Sequence, residues 1–171
     1  MITGKDVRID KDTVIRDKNA LIGNHVAIDK GFYCTTKLIM GDYIHIAPYC
    51  KIVGSLKASF VMEDFAFMAG GTSIIAGGED YTSGGLVGPV IPIEYRDVEF
   101  TTIIFERCSG TGTNTIIMPG VTLGEGSVIG ANSLVRRDTE PWGVYFGSPV
   151  RRVGTRNKEK VYKHLKDLGY E

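Results

Sequence analysis

The feature that most constrains this chain is a six-residue recurrence. From Phe105 onward, Thr111, Ile117, Leu123, Ile129 and Val135 occupy every sixth position, and Gly112, Gly124 and Gly130 directly follow three of them. The fifth position of each hexad is small or β-branched, as Ser109, Thr115, Val121, Ser127 and Ser133 show. Strand alternation repeats every second residue and helical amphipathicity every third or fourth, so a period of six specifies neither a sandwich nor a bundle. It specifies a coiled ribbon of short parallel strands. Three hexads make one triangular coil of about eighteen residues, and coils stacked at roughly 4.8 Å pair one another's backbone edges. The expected fold is therefore an all-β solenoid, a parallel β-helix.

The frame starts early, with Ile9 and Ile15, resumes after one extra residue at Ile22, and runs through Ile28, Cys34, Met40, Ile46 and Ile52. Four extra residues precede Met62, Met68 and Ile74, and a long interruption over residues 77–102 precedes Phe105. Grouping the lead residues in threes places each interruption after a third hexad. The insertions and the exit of the C-terminal tail are thus expected on one edge of the prism, a natural place for a site. The 26-residue loop GGEDYTSGGLVGPVIPIEYRDVEFTT carries Leu86, Val87, Val90, Ile91, Ile93, Tyr95 and Phe100. That is too many apolar groups for a segment that stays solvated, so the loop is expected to fold over a neighbouring surface, in a trimer the next subunit. Beyond Val135 the chain is expected to leave the solenoid, which divides it into a β-helix domain over 1–140 and a tail over 141–171. In that tail Asn157 reads as a helix cap, Val161, Leu165 and Leu168 as one apolar stripe, and Gly169 as the stop. The helix is expected to close the open end of the prism, where unpaired strand edges invite aggregation.

Composition narrows the function classes. Twenty basic and 20 acidic residues balance, so no polyelectrolyte field points to nucleic acid or an anionic membrane. No run of eighteen uncharged apolar residues points to membrane insertion. Cys34, Cys50 and Cys108 are odd in number and lack CxxC spacing, which fits reduced, packed thiols in a cytoplasm.

The hexads, the extruded loop and the tail together resemble the left-handed β-helix hexapeptide-repeat acyltransferases, over nearly the whole chain. The nearest flavour is that of sugar acetyltransferases from bacterial O-antigen and capsule gene clusters, within the galactoside and maltose acetyltransferase-like superfamily. The matching motifs are His45-Ile46, Glu79-Asp80-Tyr81 with Gly84, Pro119-Gly120, and Trp142 to Pro149. The resemblance implies a left-handed coil, against the usual crossover rule. It also implies a homotrimer, acetyl-CoA as acyl donor along the groove between two prisms, and an acceptor near the loop.

Acetyl transfer needs a base, donors for the tetrahedral oxyanion and a mould for pantetheine. His45 is the expected general base, since imidazole titrates near working pH; the alternative is a structural imidazole at a turn. Many relatives keep the catalytic histidine in the loop, and this loop has none. Asp80 stands there instead, to orient His45, bind a sugar hydroxyl or act as base, the last better suited to an amine than to an alcohol. The loop likeness assigns Glu79, Tyr81 and Ser83 to the acceptor. The resemblance assigns Thr113 and Ala131 to pantetheine, and Arg136, Arg137, Arg151, Arg152 and Arg156 to the phosphates of coenzyme A, where the guanidinium fork suits them. Trp142 either stacks on adenine or packs the tail. O-acetylation of a sugar is the expected reaction, N-acetylation of a nucleotide-linked amino sugar the runner-up, and a non-catalytic assembly module the contrasting class. A zinc site of carbonic-anhydrase type needs three converging histidines, and His25, His45 and His164 are scattered in the frame.

Overall fold

The computed structural model describes residues 1–170. Every coil contributes one short strand to each of three parallel sheets, which are the faces of a triangular prism. The first face stacks Ile2–Thr3, Leu21–Ile22, Lys37–Met40, Ser59–Met62, Thr102–Phe105 and Thr122–Leu123. On the second face Arg8–Ile9, Ala27–Ile28, His45–Ile46, Phe67–Met68, Gly110–Thr111 and Val128–Ile129 lie in order. Val14–Ile15, Tyr33–Cys34, Lys51–Val53, Ser73–Ile75, Ile116–Ile117 and Leu134–Val135 form the third.

The hexad leads are the core. Phe105, Thr111, Ile117, Leu123 and Val135 are fully buried, and the compact fifth-position residues Ser109, Thr115 and Ser127 are buried beside them at the corners. Each buried aliphatic or aromatic lead contributes about 1.5 to 3 kcal/mol. Most of the buried hydroxyls keep partners, Thr72 Oγ1 meeting Thr111 Oγ1 at 2.9 Å, Thr115 Oγ1 donating to Gly130 O at 3.1 Å and Ser127 Oγ meeting Thr139 Oγ1 at 2.8 Å, whereas Ser109 Oγ has none among the described residues. The three cysteines are buried free thiols, and burial pushes Cys50 up to about 11, so packing is what they do.

The extra residue before Leu21, the bulge around Leu56 and the long loop all fall at the third corner, between the third and first faces. The tail does not leave there. Thr139 bridges Leu123 on the first face, and Val144 and Tyr145 of the strand Gly143–Gly147 pair with Val128 and Ile129 on the second. The solenoid thus winds on beyond Val135, and a boundary at residue 140 cuts through a coil. Tyr145 is the reason: it is buried on the core and its hydroxyl accepts the Glu140 N–H at 2.9 Å. The strand then turns back antiparallel as Val150–Thr155.

The helix forms over Lys158–Asp167, with the Asn157 side chain accepting the Lys160 N–H at 2.9 Å. It does not close the end of the prism. Tyr162 donates to Glu125 at 3.0 Å and packs edge-on to Trp142, whereas Tyr170 donates to Asp42 at 3.2 Å and packs on Tyr43 and Phe65. The helix therefore runs back along the first corner, between the first and second faces, crossing several coils. That corner has its own reason to be covered. His25, Tyr43, Phe65 and Cys108 all adopt positive φ there, and the ring-on-ring stacking of His25, Tyr43 and Phe65 offsets part of the strain.

Candidate active site

At the third corner the strands Gly77–Glu79 and Val98–Phe100 rise from the prism as an antiparallel ribbon. Gly77 begins it because a Cβ there would lie 2.9 Å from the Phe100 ring and 3.3 Å from Gly54 Cα. Alternation puts Glu79, Val98 and Phe100 on the Gly77 side, and Asp80, whose N–H donates to Asp97 O at 2.8 Å, on the other. Between the Gly77 side and the Leu56 bulge is an open cleft of about 510 Å³ that Val53, Gly54, Ile93, Arg96 and Phe100 help to line.

The Glu79 side chain, expected to meet the acceptor, is instead committed within the loop. It accepts Arg96 Nε at 3.1 Å, Arg96 Nη2 at 2.5 Å and the Gly88 N–H at 3.2 Å, and the arginine holds its carboxyl below the usual range. Ser83 is committed too, donating to Asp80 O at 2.9 Å and accepting the Gly85 N–H at 3.3 Å. Two of the three expected acceptor contacts therefore build the loop. Tyr81, at 81% exposure, stands free at its tip. Asp80 accepts the Thr82 hydroxyl at 2.7 Å and the Thr82 N–H at 2.8 Å. The hydroxyl first, and the N–H after it, hold the Asp80 carboxyl below its ordinary value, so it is ionised at neutral pH.

His45 does not join it. The imidazole faces outward from the second face, about half exposed, with Nε2 2.8 Å from Asp29 Oδ2. Asp29 also takes Arg8 Nη2 at 3.3 Å. The expected pairing of His45 with Asp80 is therefore not made within a protomer, because the second face lies opposite the corner that extrudes the loop. Asp29, one coil earlier, was the legible partner had rungs been stacked side chain by side chain. Arg96 was missed as well; an acidic residue at the start of the loop and a basic one at its return were its signal.

The residues expected to hold the donor sit on several parts of the prism. Thr113 and Ala131 meet at the second corner, between the second and third faces, where Thr113 O accepts the Asn132 N–H at 2.8 Å. A Cβ on Gly112 would come within 2.6 Å of Ala131 N, so glycine lets the two coils stack closely at this ledge. Arg136 and Arg137 are exposed at the third corner beside a cleft of about 490 Å³ that reaches Tyr145 and Val150. Arg151 is exposed on the returning strand opposite Phe146. Two of the expected arginines are engaged elsewhere. Arg156 donates to Cys108 O at 2.7 Å and Gly126 O at 3.2 Å, pinning the tail to the first corner, and Arg152 pairs with Glu140 and donates to Thr155 Oγ1 at 3.2 Å. Trp142 packs: it is 8% exposed, against Tyr162.

No protein-family model matches the chain. A dTDP-4-amino-4,6-dideoxy-D-glucose acyltransferase of Escherichia coli is 34% identical over 171 residues, covering 94% of this chain and 87% of that one. The chain belongs to the hexapeptide-repeat acyltransferases. The coil is accordingly the left-handed β-helix of that family. The galactoside O-acetyltransferase of Escherichia coli strain K12 is 41% identical over 165 residues, covering 91% of this chain and 75% of the other. The AntD N-acyltransferase of Bacillus cereus, solved in complex with dTDP and 3-hydroxybutyryl-CoA, superposes with a TM-score of 0.91 at 32% identity, over 98% of this chain and 89% of that one. Within this hexapeptide-repeat acyltransferase, the extruded ribbon with Asp80 stands at the third corner and the ledge at Thr113 and Ala131 at the second.

Proposed function

We propose that the protein transfers an acyl group from an acyl-CoA to the amine of a nucleotide-linked amino sugar. The amine nitrogen attacks the thioester carbonyl, the C–S bond breaks, and an amide and free coenzyme A leave. The observation that carries this reading is the ionised Asp80 on a loop without an imidazole. A carboxylate held at low pKa is a poor base for an alcohol. It suits an amino sugar twice over: it attracts the incoming ammonium, which sheds one proton to solvent before it attacks, and it can take the second proton once attack has made the nitrogen acidic and pass it to the departing thiolate. The full-length likeness to a dTDP-amino-sugar acyltransferase and to AntD supports the same class of acceptor. The sugar hydroxyl expected from the loop motif is therefore placed second, supported by the likeness to the galactoside enzyme.

In this reading three copies assemble and the donor lies between two of them. The ledge at Thr113 and Ala131 takes pantetheine, and Arg136, Arg137 and Arg151 meet the phosphates. Surface left to bury supports the assembly. Val90 on the loop is 94% exposed, and Ile2, Leu21, Ile39, Val61 and Ile104 stack outward in register along the first face.

The test follows thiol release from acetyl-CoA with dTDP-4-amino-4,6-dideoxyglucose, with the same nucleotide bearing a hydroxyl for the amine, and with a free galactoside. Fast release with the amine, giving an alkali-stable product, is expected. An alkali-labile ester formed faster from either hydroxyl acceptor would favour the second reading.

A further inference from the structure

The loop that carries Asp80 is long, largely exposed and tied down at few points. Its tip exposes Tyr81, Leu86, Val87 and Val90, and its own turns are closed by main-chain bonds such as Leu86 N to Tyr95 O at 2.8 Å. Against that background one side-chain contact stands out. Glu79 and Arg96, 17 residues apart, face each other with side chains only 15% and 13% exposed. Glu79 takes two guanidinium N–H groups and the Gly88 N–H on one oxygen, and Arg96 also donates to Pro89 O at 3.4 Å. The pair thus joins the outgoing strand, the returning strand and the turn between them, and Asp80 is the next residue along the chain from it.

We infer that the Glu79–Arg96 ion pair is a clamp that positions Asp80 for acyl transfer, without itself touching the acceptor. The inference rests on the functional reading of Asp80 above. A largely enclosed pair broken on one side leaves a charge poorly compensated. The loop then reopens, and small misplacements of a reacting group are costly, on the order of 10²-fold in rate. The solenoid below, whose strands pair independently of the loop, keeps its fold.

The test uses the full-length enzyme and a double-mutant cycle. Arg96→Ala should lower kcat on the order of 10²-fold, with the acceptor KM, coenzyme A affinity and thermal midpoint little changed. The charge-reversed double variant, Glu79→Arg with Arg96→Glu, should recover a large part of the loss. In an Asp80→Asn background Arg96→Ala should cost little more, because its effect passes through Asp80. Additive losses, or a raised acceptor KM at unchanged kcat, would mean that Arg96 meets substrate directly and would overturn the clamp. An Asp80→Asn enzyme with full activity would overturn the functional reading instead. The clamp is then judged by amide exchange. Exchange over residues 79–97 should quicken in Arg96→Ala and slow again in the reversed pair, and unchanged exchange there would overturn it.

Discussion

At the scale of single residues, geometry separates side chains that looked equivalent in the sequence. Five arginines were expected to meet phosphate, and two of them have partners in the protomer. Arg156→Ala should therefore destabilise the fold by about 1.5 to 3 kcal/mol, the usual worth of charged hydrogen bonds, while leaving coenzyme A affinity alone. Replacing Arg136 and Arg137 together should do the reverse, weakening coenzyme A by about 1 to 3 kcal/mol with the melting temperature unchanged; calorimetry and thermal melts distinguish the two. Glu79 makes a pH prediction. Its folded pKa lies below the unfolded value, first because of Arg96, so the clamp's contribution is present above the unfolded pKa and is lost as pH falls through the folded one. Protection of the loop amides against exchange, relative to their intrinsic rates, should therefore fall as pH drops through that folded pKa, before the solenoid opens; equal protection of loop and coils across that range would contradict it. Residue types alone marked Glu79 and Asp80 as an acidic start to the loop, but not which of them faces outward. That depends on the ribbon's alternation and on Arg96, neither of which a motif records.

At the scale of elements, the six-residue period specified nearly everything about the coils. The inward leads, the compact corners and the third-corner insertions stand where the frame put them, because burial on a narrow interior leaves one register. The tail was less legible. Tyr145 and Thr139 continue the coil without matching the earlier spacing, and the helix follows the aromatic first corner because Tyr43, Phe65 and Glu125 offer partners that the strand edges do not. Sequence periodicity carries no information on such contacts between distant segments. Leu165 is the helix residue that pins it, at 4% exposure. Leu165→Ala should cost about 2 to 4 kcal/mol and loosen the helix from the first corner. A chemical-denaturation shift under about 0.5 kcal/mol would mean that the helix is not held by the contact described.

At the scale of the whole molecule, the donor ledge lies at the second corner of the prism, whereas the loop, Arg136 and Arg137 lie at the third. Neighbouring copies would bring them together. Sedimentation at micromolar concentration should give three times the 18.7 kDa chain mass, and a monomer at that concentration would contradict the assembly. The account's central claim is that the loop carboxylate, not the imidazole on the second face, serves an amine acceptor. The measurement that tests it most directly is kcat for acyl transfer to the amino-sugar nucleotide by the wild-type, Asp80→Asn and His45→Ala enzymes. Loss of an acid–base group commonly costs about 10² to 10⁴ in rate. Asp80→Asn should fall in that range, whereas His45→Ala should stay within about threefold of wild type, well short of such a loss. The opposite pattern, a dead His45→Ala enzyme beside an active Asp80→Asn one, would contradict the account.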